Sequence, residues 1–285
     1  MVMKLLDYLS LLRLPQWLKN LMLFFPPFLG GEILLPGVLA KSGMPLISFC
    51  LASSSTYVLN DILDRERDKS HPRKRNRPIP SGAVAISNAI ILFLLLVIAA
   101  LILAVNVSAV FLSILLAYLL VAILYSIFLK NLPIVDLFCI SAGFLFRLQA
   151  GGEAFHVAVS EWLFLSVFLL SIFLSTGKRL CEKNALGEDA RNHRKTLESY
   201  PPGFLDGTMY MTGGAVLVTY TLYVIEHDVL IYTVPLCCFG LLRYIFRVKS
   251  GLGGDPTESL LKDVPLFVVG ILWAVMVGWG IYGSN

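Results

Sequence analysis

An uncharged run of 52 residues, 78–129, constrains this chain more than any other feature of its sequence. A helix that crosses the hydrocarbon core of a membrane needs about 20 mostly apolar residues, so this run is long enough for two such helices. The segment Asn106-Val107-Ser108 predicts a turn between them. Hydrophobic residues make up 57% of the chain and charged residues only 15%, too few to cover a water-soluble domain of 285 residues. The composition therefore predicts an integral membrane protein.

Further apolar segments raise the predicted number of membrane spans to nine. The strongest are uncharged, whereas residues 17–39 are interrupted by Pro26-Pro27 and by Gly30-Gly31. We expect an all-α, polytopic membrane protein with nine transmembrane helices. The candidate spans outside the long run are residues 17–39, 42–60, 133–152, 162–177, 207–225, 229–242 and 264–285.

Basic residues are distributed unevenly over the connections between these spans. In the nine-span interpretation, 21 of the 23 lysines and arginines lie on one side of the membrane, and only Lys41 and Arg147 do not. Cytoplasmic loops of membrane proteins are enriched in lysine and arginine. We therefore expect a multi-pass protein of the plasma membrane, with its N-terminus and its long loops in the cytoplasm.

Three aspartates follow the second predicted span at this cytoplasmic surface. Asp61, Asp64 and Asp68 are spaced i, i+3 and i+7, and they share one face if the helix continues. Three carboxylates this close repel one another unless a cation neutralises them, and Mg²⁺ accepts carboxylate oxygens and bridges to substrate phosphates. The alternative is a solvated helix end whose acids pair with the two neighbouring arginines. The longer pattern that begins at Asn60 favours a Mg²⁺ site held by Asp61, Asp64 and Asp68.

A basic segment, residues 71–82, comes directly after the aspartates, and four of its residues 73–77 are lysine or arginine. Such a segment can anchor a protein to anionic lipid. Arginine also binds phosphate groups bidentately. Next to an acidic metal cluster, the segment indicates recognition of a phosphorylated substrate, with Arg73 and Arg77 as candidate ligands.

The pattern N-D-x-x-D-x-x-x-D at 60–68, followed by R-P-I-x-S-G at 77–82, resembles the first motif of the UbiA superfamily of intramembrane prenyltransferases. This resemblance implies nine helices around a central cavity, with cytoplasmic loops that cap a Mg²⁺–diphosphate site. The implied architecture is a single domain over residues 1–285, with cap loops near 61–82, 178–207 and 247–263.

The second half of the chain resembles one branch of this superfamily. Aromatic prenyltransferases carry a second aspartate-rich motif after the sixth helix, but here G-K-R-x-x-E stands at 177–182 and H-R-x-x-L-x-x-Y at 193–200. Both patterns resemble the decaprenyl-phosphate phosphoribosyltransferases. The resemblance extends to Gln16-Trp17, Lys19-Asn20, Tyr125-Ser126, Leu129-Lys130, Arg147 and Asp255-Pro256.

This resemblance implies transfer of the 5-phosphoribosyl group from phosphoribosyl pyrophosphate to a polyprenyl phosphate, with Mg²⁺ as cofactor and with pyrophosphate released. Both substrates carry phosphates, so cations in place of a second carboxylate motif are chemically reasonable. The expected catalytic residues are Asp61, Asp64 and Arg147. The expected substrate-binding residues are Lys19, Asn20, Asn60, Arg73, Arg77, Lys130, Lys178, Arg179, Glu182, Arg194, Lys195 and Tyr200.

Arg147 lies inside the predicted fifth span, roughly 16 Å along the helix from Asp136 and on nearly the same face. An arginine at this depth either faces a polar cavity or pairs with an acid on a neighbouring helix. We favour the cavity.

Two other functions are compatible with parts of the sequence. An aromatic prenyltransferase acting on a 4-hydroxybenzoate-like acceptor would share the first aspartate motif, but the second motif is missing. A transporter of a phosphorylated metabolite would need ionisable residues at both membrane faces, and here they cluster at one. The expected partners are the two substrates and membrane lipid, without nucleic acid. The prenyl chain length and the oligomeric state stay open, a homo-oligomer included.

Overall fold

The computed structural model describes residues 2–70, 74–186, 195–225 and 230–283. Over these residues the chain forms α-helices and short 3₁₀ segments without a β-strand, so the all-α prediction is confirmed. The helices are α1 (Val2–Leu12), α2 (Phe25–Leu29), α3 (Val38–Lys41), α4 (Gly43–Leu63), α5 (Arg65–Lys69), α6 (Ile86–Val105), α7 (Ala109–Ile127), α8 (Val135–Phe155), α9 (Glu161–Leu186), α10 (Lys195–Ser199), α11 (Phe204–Ile225), α12 (Val234–Lys249), α13 (Pro256–Lys262) and α14 (Val264–Tyr282). The 3₁₀ segments are Leu14–Phe24, Lys74–Asn76, Leu129–Asn131 and Leu230–Thr233.

Seven segments of the described chain are long and apolar enough to cross a membrane, which makes this a multi-pass membrane protein. The predicted count of nine spans is not confirmed. These seven segments are Val38–Leu63, Ile86–Val105, Ala109–Ile127, Glu161–Asn184, Phe204–Ile225, Leu230–Lys249 and Val264–Tyr282.

The two remaining predicted spans differ from the others in composition and shape. Helix α8 has 21 residues, but it carries Asp136, Arg147 and Glu153. Residues 14–29 form the long 3₁₀ segment and the short helix α2 instead of one continuous α-helix. Pro26 and Pro27 lie in α2, and because proline lacks an amide hydrogen it interrupts regular helical hydrogen bonding.

The uncharged run folds as the sequence predicts. Helix α6 ends at Val105 and α7 begins at Ala109, so the turn expected at 106–108 is confirmed. The Ser108 side chain caps α7 by accepting a hydrogen bond from the Phe111 amide at 2.9 Å. A capped helix start satisfies one of the four amides that otherwise lack a partner.

The helices pack in two groups, and these groups contact each other through α8 and α9. In the first group α4 packs against α6 and α7, and its core includes Phe49, Phe111 and Leu115. In the second group α9 packs against α11, and its core includes Phe173 and Met209. The connecting segments α10 and Leu129–Asn131 also contact each other, as do α13 and Leu14–Phe24. The polar connections of both groups are therefore brought together.

A glycine sets the distance between α8 and the first 3₁₀ segment. A Cβ atom at Gly151 would overlap the main-chain carbonyl group of Leu23. Small residues allow two membrane helices to approach this closely. The close approach places Arg147 of α8 beside Asn20 of the 3₁₀ segment, where the two side chains form a hydrogen bond.

Candidate active site

Two of the three predicted metal-binding aspartates converge on one arginine. Helix α4 ends at Leu63, and Asp64, with φ −89° and ψ 2°, separates it from α5. Despite this break, the carboxylates of Asp61 and Asp68 are both buried, and both accept a hydrogen bond from Arg77 Nη1, at 3.0 and 2.8 Å. The three aspartates therefore do not share one face as expected from a continuous helix, but Asp61 and Asp68 still meet.

Asp61 has a second cationic partner that the sequence did not indicate. Arg13 Nη2 donates to Asp61 Oδ1 at 2.5 Å, and the Arg13 guanidinium lies 4.8 Å from the centre of the Tyr57 ring. Arg13 has a left-handed backbone conformation, with φ 51°, in the residue between α1 and the first 3₁₀ segment. This residue lies outside every motif that we used, so only the folded structure identifies it.

Asp64 points to a different cation. Lys130 Nζ donates to Asp64 Oδ1 at 2.7 Å and to Asn60 Oδ1 at 3.2 Å, and Arg67 lies 3.8 Å from the same carboxylate oxygen. Lys130 is only 6% exposed. The structure thus brings together Asn60, Asp64 and Lys130, three of the residues predicted from the sequence.

The aspartates have the chemistry that a divalent cation requires, although no group of three or more His, Cys, Asp or Glu side chains in the described part of the chain is arranged to hold a metal. Asp61 and Asp68 both pair with the same nitrogen of Arg77, Nη1. Carboxylate oxygens are the ligands that Mg²⁺ prefers. The pair already accommodates a shared cation, so the donor set fits a divalent ion.

Lys178 and Lys19 form a second group of cations, beside Asp255. Lys178 Nζ donates to Asp255 Oδ2 at 3.1 Å, and Asp255 caps the start of α13 through the Thr257 amide. The charges of Lys178 and Asp255 both act on Lys19. The Lys178 side chain stays 37% exposed, in contrast to the buried Lys130.

Arg179, predicted to bind substrate, makes its hydrogen bonds inside the protein. Its Nε donates to Asp136 Oδ2 at 2.7 Å, Nη1 to Glu182 Oε2 at 2.8 Å and Nη2 to the Tyr125 hydroxyl at 3.2 Å. Arg179 is 2% exposed and Asp136 is fully buried. The guanidinium therefore holds Glu182, whose side chain is one-third exposed, at the edge of the site.

Tyr200, also predicted to bind substrate, is buried as well. Its hydroxyl donates to Asp136 Oδ1 at 2.6 Å and accepts from the Ile134 amide at 2.8 Å. Lys183 Nζ donates to the Tyr200 carbonyl oxygen at 2.7 Å. Burial raises the pKa of the Tyr200 phenol, and the hydrogen bond to Asp136 raises it further. The hydroxyl consequently stays protonated and contacts protein groups.

Arg147 is buried with neutral hydrogen-bond acceptors. Its Nε donates to Asn20 Oδ1 at 2.7 Å, Nη1 to the Gly143 carbonyl oxygen at 2.7 Å and Nη2 to the Tyr118 hydroxyl at 3.1 Å. Among the described residues, Arg147 forms no ion pair with a carboxylate. Of the two alternatives left by the sequence, a salt bridge to a neighbouring helix is therefore not found in the described chain.

A largely apolar cavity of about 440 Å³ opens between α8, α9, α11, α12, α13, α14 and residues 18–29. Phe144, Leu170 and Trp273 are among the side chains on its wall. Lys19 is the only charged residue on the wall in the described part of the chain. Phe144 also links the cavity to Arg147, whose guanidinium carbon lies 5.8 Å from the centre of its ring. The cavity therefore has an apolar body and a cationic border.

Three predicted site residues lie wholly or partly outside the part of the chain that the structure describes. Arg73 and Arg194 lie outside the described residues. Lys195 begins α10, but its side chain also lies outside the described part. Their expected roles in substrate binding remain predictions.

Residues 25–271 match the UbiA prenyltransferase family, and the chain belongs to this family. It is 32% identical to the decaprenyl-phosphate phosphoribosyltransferase of Mycolicibacterium smegmatis over 94% of this chain and 90% of that protein. It is also 32% identical to the protein of the same name from Mycobacterium tuberculosis, over 94% and 91% of the two chains. The two resemblances inferred from the motifs are confirmed.

The fold agrees with this assignment. The structure superimposes on a UbiA homolog from Archaeoglobus fulgidus bound to DMAPP and Mg²⁺ with a TM-score of 0.75, covering 98% of this chain and 100% of that chain. The two sequences are 18% identical, so this similarity concerns the fold. The UbiA-like fold predicted from the first motif is confirmed.

Proposed function

We propose that this protein is a Mg²⁺-dependent enzyme that transfers the 5-phosphoribosyl group of phosphoribosyl pyrophosphate to a polyprenyl phosphate. The observation that carries the proposal is the set of buried and half-buried cations around the aspartates and the apolar cavity. Phosphoribosyl pyrophosphate carries a 5-phosphate besides its pyrophosphate, and the acceptor brings another phosphate. A site rich in cations suits these anions better than a second cluster of carboxylates. The names of the similar mycobacterial proteins support the same reaction.

The donor would bind at the aspartates, with Arg77, Lys130 and Lys178 as its cationic ligands. Arg77 and Lys130 pair with aspartates in this structure, so a phosphate bound beside these carboxylates would lie next to both cations. Lys178 is the most exposed of the three, with one carboxylate partner. Charge-assisted hydrogen bonds from these groups would hold the pyrophosphate and the 5-phosphate.

The acceptor would lie with its hydrocarbon chain in the apolar cavity and its phosphate at the cationic border. Lys19 stands on the cavity wall, and Arg147 is linked to that wall through Phe144. The positive charge of Arg147 has no carboxylate partner in the described chain. A lipid phosphate would supply the missing negative charge within a low-dielectric environment, where such a pairing is strong.

In the reaction, an oxygen of the polyprenyl phosphate attacks C1 of the ribose while the bond from C1 to the pyrophosphate oxygen breaks. The nucleophile is already an anion, so the reaction requires no strong general base. The protein would contribute by placing the two substrates in line and by neutralising the charge that develops on the leaving pyrophosphate.

Asp61, Asp64 and Asp68 would hold Mg²⁺, with Asp61 and Asp68 already directed at a common cation. Bound Mg²⁺ would stabilise the negative charge on the leaving group. Asn60 would orient Lys130 from the same helix end. Arg77 would then be released from the carboxylates and become available to the donor's phosphates.

We place the active site at the cytoplasmic face of the plasma membrane. The cap loops near 61–82, 178–207 and 247–263 would face the cytoplasm, because lysine and arginine concentrate there. The water-soluble donor could then enter from the cytoplasm and the lipid acceptor from the bilayer.

The function is tested by supplying purified protein with radiolabelled phosphoribosyl pyrophosphate, Mg²⁺ and polyprenyl phosphate. We expect a labelled lipid, and no labelled lipid with the Asp61→Asn variant. In a parallel reaction, a prenyl diphosphate and 4-hydroxybenzoate should yield no product. A prenylated aromatic product without transfer from phosphoribosyl pyrophosphate would contradict the proposal, although membership of the UbiA family would stand.

A further inference from the structure

The chain makes a strained turn just before α8. The Val135 amide donates to the Pro133 carbonyl oxygen at 2.7 Å, and the residue between them, Ile134, has φ 67° and ψ −49°. These values describe the rarer, strained form of the three-residue γ-turn. A β-branched residue seldom adopts a positive φ, so the surrounding structure must hold Ile134 in this conformation.

Tyr200 holds this turn from another part of the chain. Its hydroxyl accepts a hydrogen bond from the Ile134 amide at 2.8 Å and donates to Asp136 at 2.6 Å. Arg179 fixes the same carboxylate from α9, at 2.7 Å. All three side chains of this network, Tyr200, Asp136 and Arg179, are at most 2% exposed. A buried polar network whose members are all hydrogen-bonded is rigid.

A second contact joins the same two segments. Thr196 Oγ1 in α10 donates to the Lys130 carbonyl oxygen at 3.0 Å, and Thr196 is fully buried. The hydroxyl groups of Thr196 and Tyr200 thus bind the main chain at the two ends of the loop 130–134. The loop is fixed at both ends by the segment that follows α9.

The loop carries a side chain of the candidate active site. Lys130 extends from it to Asp64 at 2.7 Å and to Asn60 at 3.2 Å. Lysine has four rotatable bonds, so an ammonium group keeps one position only when its backbone and its partners are both fixed. The hydroxyl groups that hold the loop therefore also help to fix the position of the Lys130 ammonium group relative to Asp64.

We propose that Tyr200 is a positioning residue: by holding the Ile134 turn, it fixes the loop 130–134 and keeps Lys130 on Asp64 and Asn60. In this arrangement, the segment after α9 and the aspartate motif that begins at the end of α4 are structurally coupled through the loop 130–134. The inference deepens the proposed function and rests on it wherever catalytic turnover is the measured quantity. Tyr200 would then act on substrate only through Lys130.

The direct test measures the exposure of Lys130 in the full-length protein. Tyr200→Phe removes the hydroxyl and retains the ring, which stacks on Phe204 with ring centres 5.6 Å apart. An amine-reactive label, quantified at Lys130 by mass spectrometry, should react several-fold faster in this variant than in the wild type. An unchanged rate would overturn the proposal, whatever reaction the enzyme catalyses.

Tyr282→Phe provides a matched control. It deletes a half-buried tyrosine hydroxyl that donates to the Phe28 carbonyl oxygen at 2.7 Å, and it lies outside the candidate site. This variant should lower thermal stability by an amount similar to Tyr200→Phe while leaving the labelling of Lys130 and turnover unchanged. If Tyr282→Phe accelerates Lys130 labelling equally, the effect is general loosening and the proposal fails.

A double-mutant cycle with turnover tests the same coupling. Tyr200→Phe should lower kcat about tenfold when Lys130 is present and less than about twofold in the Lys130→Met background, because coupled residues are not additive. An equal loss in both backgrounds would overturn the role of Lys130. If wild-type protein transfers no phosphoribosyl group at all, the proposed function fails, and the labelling comparison alone decides the positioning role.

Discussion

Arg147 and Asn20 meet within the helix bundle, where Arg147 Nε donates to Asn20 Oδ1 at 2.7 Å. Asn20 is fixed in turn, because its amide nitrogen contacts Cys50 and Ser53 of α4 at 3.2 Å each. The contact therefore orients a guanidinium group that has no carboxylate partner among the described residues. Leaving a buried charge uncompensated is unfavourable for folding, so we expect Arg147 to have a functional role that offsets this cost.

We expect Arg147→Gln to weaken acceptor binding without destabilising the fold. Loss of a charge-assisted hydrogen bond of about 1.5–3 kcal/mol would raise the KM for polyprenyl phosphate roughly 10- to 150-fold. The melting temperature should stay constant or rise, because an uncompensated charge is removed. Steady-state kinetics and thermal unfolding in detergent measure both effects. Gln149→Ala, an exposed change on the same helix, should alter neither.

We expect turnover to depend on a divalent metal ion and on both Asp61 and Asp68. Asp61→Asn and Asp68→Asn should each lower turnover at least about 100-fold, since each removes a negative charge from the pair that shares Arg77. EDTA should abolish turnover, and Mg²⁺ should restore it. Binding of labelled phosphoribosyl pyrophosphate should likewise require Mg²⁺ in the wild type.

Glu66→Gln is the matched control for these variants. Glu66 lies in α5 between the two aspartates in sequence, but its carboxylate is exposed and pairs with Lys69. Turnover and the response to EDTA should be unchanged in this variant. Full activity of the wild type in EDTA without divalent ions would contradict the assignment of a metal site.

Asp263 is expected to be the strongest electrostatic contributor to stability near α14. It caps α14 through the Leu266 amide at 3.0 Å, accepts two hydrogen bonds from Arg243 and accepts one from Arg247 Nη1 at 2.7 Å. Asp263→Ala would leave Arg247, only 7% exposed, without its carboxylate partner. The free energy of unfolding should fall by about 3 kcal/mol.

Asp206→Ala serves as the comparison for Asp263. Asp206 pairs with Lys249, but both side chains are partly exposed, and surface ion pairs contribute at most about 1 kcal/mol. Thermal and denaturant unfolding of the two variants should therefore differ clearly. Equal losses of stability would show that burial at Asp263 does not govern its contribution.

The sequence predicts the features of this fold that depend on local composition. The long uncharged run gives α6 and α7 with their turn at 106–108, and the polar helix α8 falls within the predicted fifth span except for its last three residues. Hydropathy cannot show how residues 14–29 lie: they form a 3₁₀ segment followed by the short helix α2, and the 3₁₀ segment packs closely against α8 at Gly151.

The sequence predicts which residues form the candidate site, but it does not predict which of them contact each other. The motifs identify Asp61, Asp64, Asp68 and Arg77, but not the break at Asp64 or the pairing of Asp61 and Asp68 with Arg77, which depend on how the chain turns after α4. Arg179 belongs to a motif that predicts substrate binding. In the structure, however, its side chain is buried and donates a hydrogen bond to Asp136, which lies 43 residues away in the sequence. Partners this far apart along the chain leave no local pattern.

Orientation in the membrane can be tested by cysteine labelling. In a variant without the five native cysteines, Ser70→Cys should resist an impermeant thiol reagent in intact cells and react after lysis, because the loop after α5 is expected in the cytoplasm. Lys41 is exposed and is predicted to lie on the opposite side of the membrane, so Lys41→Cys should react in intact cells. The reverse pattern would contradict the orientation.

The last prediction concerns pH and the ion pair between Lys178 and Asp255. Burial raises the pKa of Asp255. The positive charges of Lys178 and Lys19, and the hydrogen bonds that Asp255 accepts, lower this pKa by more than burial raises it. The pKa of Asp255 therefore lies below its ordinary value of 3.8. A carboxyl group with a lowered pKa in the folded state stabilises the fold above its unfolded pKa. This contribution is lost as the pH falls through the lowered value.

Lys178→Ala removes the strongest of the charges that lower the pKa of Asp255. The pKa should rise, so the stabilising contribution should begin to disappear at a higher pH, and the acid limb of a plot of melting temperature against pH should move toward neutrality. Donor binding at pH 7 should also weaken, by about 1.5–3 kcal/mol for a lost charge-assisted hydrogen bond. Lys262→Ala, which breaks an exposed pair with Glu258, should shift neither quantity. An unshifted acid limb in Lys178→Ala would show that Lys178 does not govern the ionisation of Asp255.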